Sequence, residues 1–435
     1  MMGVLASGNF YTPTDVRFPI EKPKRIYEQL GYPITITDNE NYSKCIEIGI
    51  SKELIINIEK INLFAECDEK YIKETVSEDL AYILFTSGST GIPKGVTITR
   101  GAVEDYIEWA SDCFKINDND SICNQSPFYF DNSTLDIYLM LRCGATLHIV
   151  PESYFVLLMK LIKYLFDNKI TFIFWVPSVF QLFQKYDLLA NFNKLYLKKI
   201  LFAGEVMPNK VLNYWRNNIP NALYVNLYGP TEITVTCIYY IVDKQYKDDE
   251  SLPIGNPRKN MEIIILDNKG HRITEPNIKG EICVKGISLS KGYWKDEEKT
   301  KKVFVQNPLN TAYPEIIYKT GDIAYYNSEG LIMFDGRVDN QIKHMGYRIE
   351  LGEIENMSMV LKYIQQVCVV YDADNDNIIL FTVINSNIPE KDILKDLKGI
   401  LPKYMLPNKI VILDEMPLND NGKYDRKKLK TFINS

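Results

Sequence analysis

Short apolar runs alternate with longer helix-like segments across residues 20–240, which is the pattern of an α/β architecture. Gly31 follows the first helical segment, as expected of a residue that ends a helix. The clearest of these elements are two helices and three strands, over Ile20–Leu30, Val156–Phe166, Ile34–Thr37, Thr171–Val176 and Lys199–Ala203.

From about residue 250 to 335 the apolar runs become shorter and are separated by turn residues such as Asp267-Asn268. This spacing favours antiparallel strands in a small β-rich subdomain. The predicted strands are Met261–Leu266, Gly280–Lys285, Ile323–Tyr326 and Leu331–Phe334.

The last hundred residues predict a small α+β domain. A helix near Glu350–Leu361 precedes a hairpin, and a second helix over Glu390–Ile400 leads to a final strand. The hairpin strands are Gln366–Tyr371 and Ile378–Ile384. We therefore expect a large domain over residues 1–336, a hinge at 337–340 and a small mobile domain over 341–435.

Composition narrows the class of protein. The chain has 435 residues and a net charge of −6, and no Lys/Arg block dominates a segment, which argues against a nucleic-acid partner. It has no run of about 18 apolar residues and no secretory signal, so no membrane insertion is expected. Eight cysteines without a C-x-x-C pair are typical of reduced thiols in a cytoplasmic protein.

The strongest candidate for chemistry is the loop Thr86–Gly95, which follows the apolar run Leu80–Phe85. It holds three glycines, four hydroxyl side chains and Lys94, a combination suited to a polyphosphate. It is not the common P-loop, because Lys94 is not followed by Ser or Thr. The loop therefore predicts a site that wraps a polyphosphate group.

Further segments join this loop in a fixed order. They are Phe130–Leu135, Asn226–Glu232, Gly280–Trp294, Tyr318–Asp322 with its continuation to Glu355, and Asn421–Arg426. This ordered set resembles the adenylate-forming superfamily, specifically the amino-acid adenylation domains of peptide synthetases. Phe202–Pro208 and Gly336–Glu355 bring it nearest to stand-alone D-alanine–carrier protein ligases. The resemblance runs from residue 3 to about residue 430.

The resemblance implies ATP and Mg²⁺ as cofactors. Tyr228 offers a flat face for adenine and Asn226 an amide for its edge, while Glu232 is a hard oxygen ligand for Mg²⁺. Asp322 is expected at the head of a strand after a Thr-Gly turn, where it would accept the ribose hydroxyls, with Arg337 on ribose or α-phosphate. The ATP-binding set is Thr86, Ser87, Gly88, Ser89, Thr90, Gly91, Lys94, Asn226, Leu227, Tyr228, Gly229, Pro230, Thr231, Asp322, Arg337 and Lys423.

For the substrate, the resemblance places Asp131 against the α-ammonium group of an amino acid. The other substrate positions carried over are Asn132, Leu135, Phe174, Leu201, Ala203, Gly204, Leu227, Val235, Thr236 and Lys423. Bulky apolar walls predict a small or modest apolar side chain. D-alanine ligases commonly have Cys at the position of Ala203 and Thr at that of Leu227. The expected substrate is therefore either D-alanine or another small apolar amino acid.

The expected catalytic residues are Lys423, Lys94 and Glu232. Lys423 resembles the lysine that bridges the substrate carboxylate and the α-phosphate, where an ammonium group stabilises growing negative charge. The resemblance also implies a second step, in which the small domain turns about Asp339. Gly346 then lies along a pantetheine tunnel and Arg348 meets the phosphate of a separate phosphopantetheinylated carrier protein.

Two alternatives stay open. An acyl- or aryl-acid–CoA ligase is disfavoured by Asp131, because such enzymes lack a carboxylate there. A truncated, non-catalytic nucleotide-binding protein is the other, because Met2–Asp15 resembles a motif that family members carry well inside their first domain. On that basis we expect the N-terminal segment of the fold to be incomplete.

Overall fold

The structure is a computed structural model, and it describes residues 1–62, 69–88, 92–190, 192, 195–337, 341–373, 375–386, 388–418 and 424–433. The chain divides into two compact units. The first comprises Met1–Pro13, Asp68–Leu84 and Val96–Asp339, and the second comprises Thr14–Cys67, Phe85–Gly95 and Asn340–Ser435. Segments from three parts of the sequence thus build each unit. The expected domain boundaries at 336 and 341 stay predictions.

The helices of the described residues are α1 Met2–Ala6, α2 Glu21–Leu30, α3 Tyr42–Ile48, α4 Arg100–Phe114, α5 Asn132–Cys143, α6 Leu158–Asp167, α7 Pro177–Lys185, α8 Asn209–Asn218, α9 Glu297–Val303, α10 Leu351–Ser358, α11 Glu390–Lys398 and α12 Arg426–Thr431. The strands are β1 Thr35–Thr37, β2 Ile55–Asn57, β3 Leu80–Thr86, β4 Lys94–Thr99, β5 Ser121–Asn124, β6 Thr146–Ile149, β7 Phe172–Trp175, β8 Lys199–Ala203, β9 Leu223–Tyr228, β10 Ile238–Ile241, β11 Asn256–Pro257, β12 Met261–Leu266, β13 Gly280–Gly286, β14 Phe304–Gln306, β15 Ile316–Tyr326, β16 Ile332–Arg337, β17 Gln341–His344, β18 Tyr347–Glu350, β19 Ile364–Asp372, β20 Asn377–Ile384 and β21 Lys409–Ile412.

A mixed sheet with the order β11-β10-β9-β8-β7-β5-β6 is the framework of the first unit. Strands β6, β5, β7, β8 and β9 run parallel, and β10 and β11 are antiparallel additions at one edge. Parallel strands covered by helices on both faces become continuously apolar, as the Phe-Ile-Phe-Trp sequence of β7 illustrates. The α/β fold class predicted from the sequence is confirmed.

Alternate residues of these strands pack against different helices. Ile173, Trp175 and Phe202 belong to the core cluster with α6, α7 and α8. Phe174 and Leu201 belong to the cluster with α4 and α5 on the opposite face. This separation follows from the two-residue period of a strand, and it brings the apolar substrate positions predicted above onto one face.

The β-rich part of the first unit is an antiparallel sheet with the order β12-β13-β15-β14 and with β16 beside β15. Its strands bury Ile263, Ile265, Ile282 and Val284 in one core. The predicted antiparallel character of this region is confirmed, and β12 has the predicted bounds. Strand β15 differs, because it begins at Ile316 rather than Ile323.

In the second unit the sheet β19-β20-β21 carries the hairpin β19–β20, with β21 parallel to β20. Helices α10 and α11 pack Ile354, Ile393 and Leu397 against Val369 and Leu380 in one buried cluster. This α+β arrangement agrees with the sequence prediction for the C-terminal residues. Across the described part of the chain, none of the helices has the length and apolar character needed to cross a membrane.

Candidate active site

Asp322 is the centre of a hydrogen-bonded group in the first unit. It is 3% exposed, and it lies opposite Arg337 in the β15–β16 register. Arg337 Nη1 donates to Asp322 Oδ1 at 2.5 Å, and the Tyr228 hydroxyl donates to Oδ2. Each carboxylate oxygen keeps a second lone pair, so the group can still accept hydrogen bonds from a diol.

The expectation that a turn precedes Asp322 is wrong, because β15 runs through Thr320 and Gly321 without ending. Gly321 has a φ of +73°, and the register between β15 and β16 shifts between Ile323 and Ala324. A strand accommodates an irregular residue of this kind through a bulge, which redirects the neighbouring side chains. The bulge, rather than a turn, therefore sets the direction of the Asp322 side chain.

Tyr228 and Asn226 are neighbours on the same face of β9, where they end the buried part of the strand. Burial raises the pKa of Tyr228 well above its usual range, and Asp322 raises it further, so the phenol stays a donor. Asn226 Nδ2 donates to the carbonyl of Pro253 at 2.9 Å. The amide NH₂ is thus engaged, and its oxygen is the group suited to accept from an amino group.

The turn after β9 depends on a close backbone approach. A Cβ on Gly229 would lie 2.4 Å from the carbonyl oxygen of Val235. Pro230 follows, and Thr231–Ile233 forms a single 3₁₀ turn that contains Glu232. This tight return brings Glu232 to the end of the sheet, where Thr236 comes back against the glycine.

Glu232 is fully buried in the described structure, at 0% exposure. Its Oε1 accepts a hydrogen bond from the Tyr293 hydroxyl at 2.8 Å, and its carbonyl accepts from the Ser290 amide at 2.8 Å. A buried carboxylate is costly unless it is paired or bound to a cation. The position is therefore consistent with the metal role predicted for Glu232.

Mg²⁺ fits the position of Glu232 when a bound nucleotide supplies further oxygen ligands. Among the residues that the structure describes, no group of three or more His, Cys, Asp or Glu side chains could hold a metal ion. Mg²⁺ commonly takes one or two carboxylates and completes its shell with water and substrate phosphates. Glu232 can supply the carboxylate, and a bound nucleotide would supply the phosphate oxygens.

Asp131 is half-buried and immediately precedes α5, as its N-cap residue. The apolar positions predicted for the substrate wall share one buried cluster, namely Leu135, Phe174, Leu201, Ala203, Leu227 and Val235. The strand register pairs Phe174 with Leu201 and Ala203 with Leu227. Sequence positions up to 100 residues apart (135 to 235) thus meet on the α5 face of the sheet.

Two further predicted substrate positions lie at the ends of these elements. Asn132 is half-buried in the first turn of α5, and Gly204 follows β8 with a φ of +94°.

The described part of the phosphate loop belongs to the second unit. Ser87 is 4% exposed, and its hydroxyl donates to the Arg348 carbonyl at 2.8 Å. Lys94 Nζ lies 3.5 Å from Glu350 Oε1, which also accepts from Gln341 at 2.6 Å. Gly88 is required here, because a Cβ would lie 2.1 Å from the Ile92 carbonyl oxygen.

The β17–β18 hairpin holds the two residues expected to serve a carrier protein. Gly346 has a φ of +79° in the turn between the strands, and Arg348 is half-buried on β18. Their roles are untested by this geometry and stay predictions. Five further predicted residues lie outside the described residues, namely Ser89, Thr90, Gly91, Asp339 and Lys423.

The sequence analysis did not identify Arg258, which is 1% exposed and packs against Tyr106 and Trp109 of the cluster that holds the predicted substrate wall. Arg258 Nη1 forms an ion pair with Asp105 at 2.6 Å, and Nε donates to the Thr236 carbonyl at 2.7 Å. The guanidinium carbon also lies 5.6 Å from the ring centroid of Tyr106. No local motif marks this residue, because its partners come from α4 and from the turn after β9.

Comparison with known proteins agrees with this arrangement. The family model described as "AMP-binding enzyme" matches residues 1–294, and "AMP-binding enzyme C-terminal domain" matches residues 353–423. Zwittermicin A synthase ZmaJ of Bacillus cereus is 33% identical over 99% of this chain and 82% of its own length. The D-alanine–D-alanyl carrier protein ligase of Bacillus velezensis is 32% identical over 98% of this chain and 85% of its own.

Among solved structures, the Vibrio cholerae adenylation domain AlmE in complex with glycyl-adenosine-5′-phosphate has the same fold. Its TM-score is 0.83 at 22% identity, over 98% of this chain and 84% of that one. The matched family models and the two relatives together cover both ends of the chain. The protein belongs to the AMP-binding, adenylate-forming enzyme family.

Proposed function

We propose that this protein activates an amino acid with ATP and transfers it to the phosphopantetheine thiol of a carrier protein. The observation that carries the proposal is the position of Asp131 at the start of α5, next to the cluster of Leu135 and Phe174. A half-buried carboxylate beside a buried apolar cluster is suited to the ammonium group of an amino acid. Relatives named for D-alanine and L-proline carrier protein ligation support the same reaction.

In the first step, a carboxylate oxygen of the amino acid attacks the α-phosphorus of ATP. The bond to the bridging oxygen breaks, and pyrophosphate leaves with its electron pair. Catalysis then consists mainly of positioning and charge neutralisation. We assign the β- and γ-phosphates to the loop Thr86–Gly95 with Lys94, and the bridge between carboxylate and α-phosphate to Lys423.

The hydrogen bonds of the first unit support the nucleotide roles that we assign to its residues. Tyr228 would stack on adenine, and the Asn226 oxygen would accept from its amino group, because the Asn226 nitrogen already donates to Pro253. Asp322 would accept the ribose hydroxyls, while Arg337 holds its carboxylate at 2.5 Å. Glu232 would bind Mg²⁺, whose charge offsets that of the phosphates.

In the second step, the carrier thiol attacks the acyl carbon of the aminoacyl adenylate, and AMP leaves. We assign the carrier-facing roles to Gly346 and Arg348, on the β17–β18 hairpin. A guanidinium group is well suited to the phosphate of a phosphopantetheine arm. A hinge at residues 337–340, around Asp339, and a small domain over 341–435 are part of this proposal.

The side chain of the substrate is proposed to be small. Phe174 and Leu135 are 0% exposed and Leu227 is 2% exposed, so the wall positions are large and closely packed. A close-packed wall rejects added methylene groups at a cost of about 1–3 kcal/mol each. D-alanine and other small amino acids are the first candidates.

ATP–pyrophosphate exchange, measured with a panel of D- and L-amino acids, tests the proposal. We expect exchange with one or a few small amino acids and none with aryl or fatty acids. Exchange that depends only on an aryl or acyl acid would favour a CoA ligase, and no exchange with a folded preparation would refute the proposal. Lys423→Ala should abolish exchange while mant-ATP still binds, and Lys430→Ala, a nearby lysine with no assigned role, is the control.

A further inference from the structure

His344 is the most buried of the three histidines in the chain, at 3% exposure. It is the last residue of β17, and the next two residues, Met345 and Gly346, connect it to β18. These two residues have positive φ values, of +50° and +79°. A two-residue turn with positive φ at both positions is the tight kind that matches the twist of a hairpin. The place of Gly346 therefore depends on the residues that flank the turn, His344 and Tyr347.

One face of the β17–β18 hairpin is anchored in the second unit. Ile342 and Ile349, which are paired across the hairpin, pack in the buried cluster of α10 and α11. Successive residues of a strand alternate between its faces, so the pair of His344 and Tyr347 lies on this same face. The flanking residues of the turn are therefore on the side that holds the hairpin in place.

The opposite face of the hairpin meets the phosphate loop. It carries Arg348 and Glu350, and Glu350 Oε1 lies 3.5 Å from Lys94 Nζ. Arg348 is the residue that we assign to the phosphate of the phosphopantetheine arm. Side chains on the anchored face thus act on this side only through the position of the hairpin.

His344 is fixed by a carboxylate from the neighbouring hairpin. Its Nδ1 lies 2.8 Å from Oδ1 of Asp376, in the turn between β19 and β20. A carboxylate only accepts hydrogen bonds, so Nδ1 carries the proton and donates. The Tyr371 hydroxyl donates to the same oxygen at 2.5 Å, and its ring meets the imidazole edge-on, with centroids 6.1 Å apart. Two side chains of the β19–β20 hairpin therefore hold the imidazole.

Tyr347 is fixed on the other side of the turn. Its ring is stacked on that of Tyr404, with centroids 3.8 Å apart and an angle of 16° between the planes. The Tyr404 hydroxyl accepts a hydrogen bond from Lys22 Nζ at 3.0 Å, and Glu353 Oε1 lies 3.5 Å from the same nitrogen. The two ends of the turn are thus bound to different parts of the unit, and His344 supplies the polar one of the two anchors.

We propose that His344, held by Asp376 and Tyr371, is a positioning residue for the transfer step, because it sets the place of the Gly346 turn along the phosphopantetheine arm. The inference rests on the proposed function, which assigns this arm to Gly346 and Arg348. Displacing a reacting group by about 1 Å costs about a hundredfold in rate, so a loosened turn slows the attack of the thiol. Formation of the adenylate does not use the turn and is left unchanged.

The test compares the two steps of the reaction in His344→Leu and His344→Asn. Leu fills the buried space without a donor, whereas the short amide of Asn keeps an N–H near the position of Nδ1. ATP–pyrophosphate exchange measures the first step. The second is measured as thioester formation on free 4′-phosphopantetheine, which has the thiol and the phosphate of the arm. For His344→Leu we expect kcat/KM for phosphopantetheine to fall at least about tenfold and exchange to stay within about twofold of wild type. His344→Asn should restore most of the transfer.

His271→Leu is the matched control. His271 Nδ1 lies 3.1 Å from Asp267 Oδ2, but this pair is in the first unit and the histidine side chain is 73% exposed. Both steps should stay as in wild type. Unchanged transfer in His344→Leu would overturn the inference and leave the proposed function intact. Equal losses in exchange and transfer would assign His344 to the stability of the unit and overturn it as well. A wild type that exchanges but forms no thioester would refute the transfer step and the inference together.

Hydrogen exchange of the backbone amides tests the position of the turn without any acceptor. In His344→Leu the amides of residues 345–348 should exchange at least about tenfold faster, while those of α10 keep their wild-type rates. His344→Asn should bring the turn back towards the wild-type rates. Unchanged rates over residues 345–348 in His344→Leu would show that His344 does not hold the turn and would overturn the inference.

Discussion

The Tyr228 hydroxyl donates a hydrogen bond to Oδ2 of Asp322, 94 residues further along the chain. This hydrogen bond joins the last residue of β9, in the mixed sheet, to β15 of the antiparallel sheet. Arg337 holds the other oxygen of the same carboxylate at 2.5 Å. The group proposed to accept the ribose is therefore oriented from two directions before any nucleotide binds.

Tyr228→Phe tests this orientation. The substitution keeps a ring for adenine and removes only the donor to Asp322. A hydrogen bond to a charged group contributes about 1.5–3 kcal/mol, so we expect the KM for ATP to rise about tenfold or more. The KM for the amino acid should change less than twofold. An unchanged KM for ATP would remove the hydroxyl from nucleotide binding.

Asp131→Asn tests the role of the carboxylate at the start of α5. The amide is the same size but cannot neutralise an ammonium group, so we expect the KM for the amino acid to rise at least a hundredfold while ATP affinity changes little. Asp118→Asn, at an exposed carboxylate of the same unit, is the control. Equal losses for amino acid and ATP would contradict the assignment. Initial rates of exchange with each substrate varied in turn provide the measurement.

The buried ion pair between Arg258 and Asp105 makes a prediction about stability. Asp105→Ala leaves the guanidinium, 0% exposed in its side chain, without its anion, and such a loss costs about 3–5 kcal/mol. Asp167→Ala breaks the exposed Lys163–Asp167 pair instead and should cost less than about 1 kcal/mol. Urea unfolding of the three proteins measures both effects. Similar losses for the two variants would mean that the Arg258 pair is solvated.

Asp136 gives the stability of the protein a pH dependence of known sign. Burial raises the pKa of its carboxyl from the ordinary 3.8 to about 8, so the folded state binds the proton more tightly than the unfolded state. The stability that the protonated Asp136 carboxyl contributes is complete below about pH 4 and is lost as the pH rises to about 8. The slope is on the order of 1 kcal/mol per pH unit. The Tm of wild type relative to Asp136→Asn should therefore fall from pH 5 to pH 8, and a constant or rising difference would contradict the buried neutral acid.

Much of the fold was predictable where one strong signal determined an element. Strand β8 has the predicted bounds because Lys199–Ala203 is nearly all apolar and ends at Gly204. Helix α2 ends at Leu30 because Gly31 adopts the left-handed conformation with a φ of +80°. Strand β15 begins seven residues before the predicted start at Ile323, because its bulge places a glycine inside the strand, where sequence rules expect a turn.

The candidate site also contains residues that a local motif marks and residues that only the fold brings together. Tyr228, Glu232 and Asp322 could be proposed from the sequence because each belongs to a short motif. The Arg258–Asp105 pair was not, because its members are 153 residues apart and no local pattern marks a buried charge. Nor could the sequence show that Tyr106 and Thr236 both contact the buried guanidinium of Arg258. Such contacts depend on how strands and helices come together.

Direct detection of the activated product tests the central claim most plainly. Purified protein is mixed with ATP, Mg²⁺ and the amino acid that gives the best exchange, then quenched within one turnover and analysed by mass spectrometry. We predict an aminoacyl adenylate, formed in equal amount to pyrophosphate and lost when a phosphopantetheinylated carrier is added. Formation of ADP and phosphate in place of the adenylate and pyrophosphate would contradict the account.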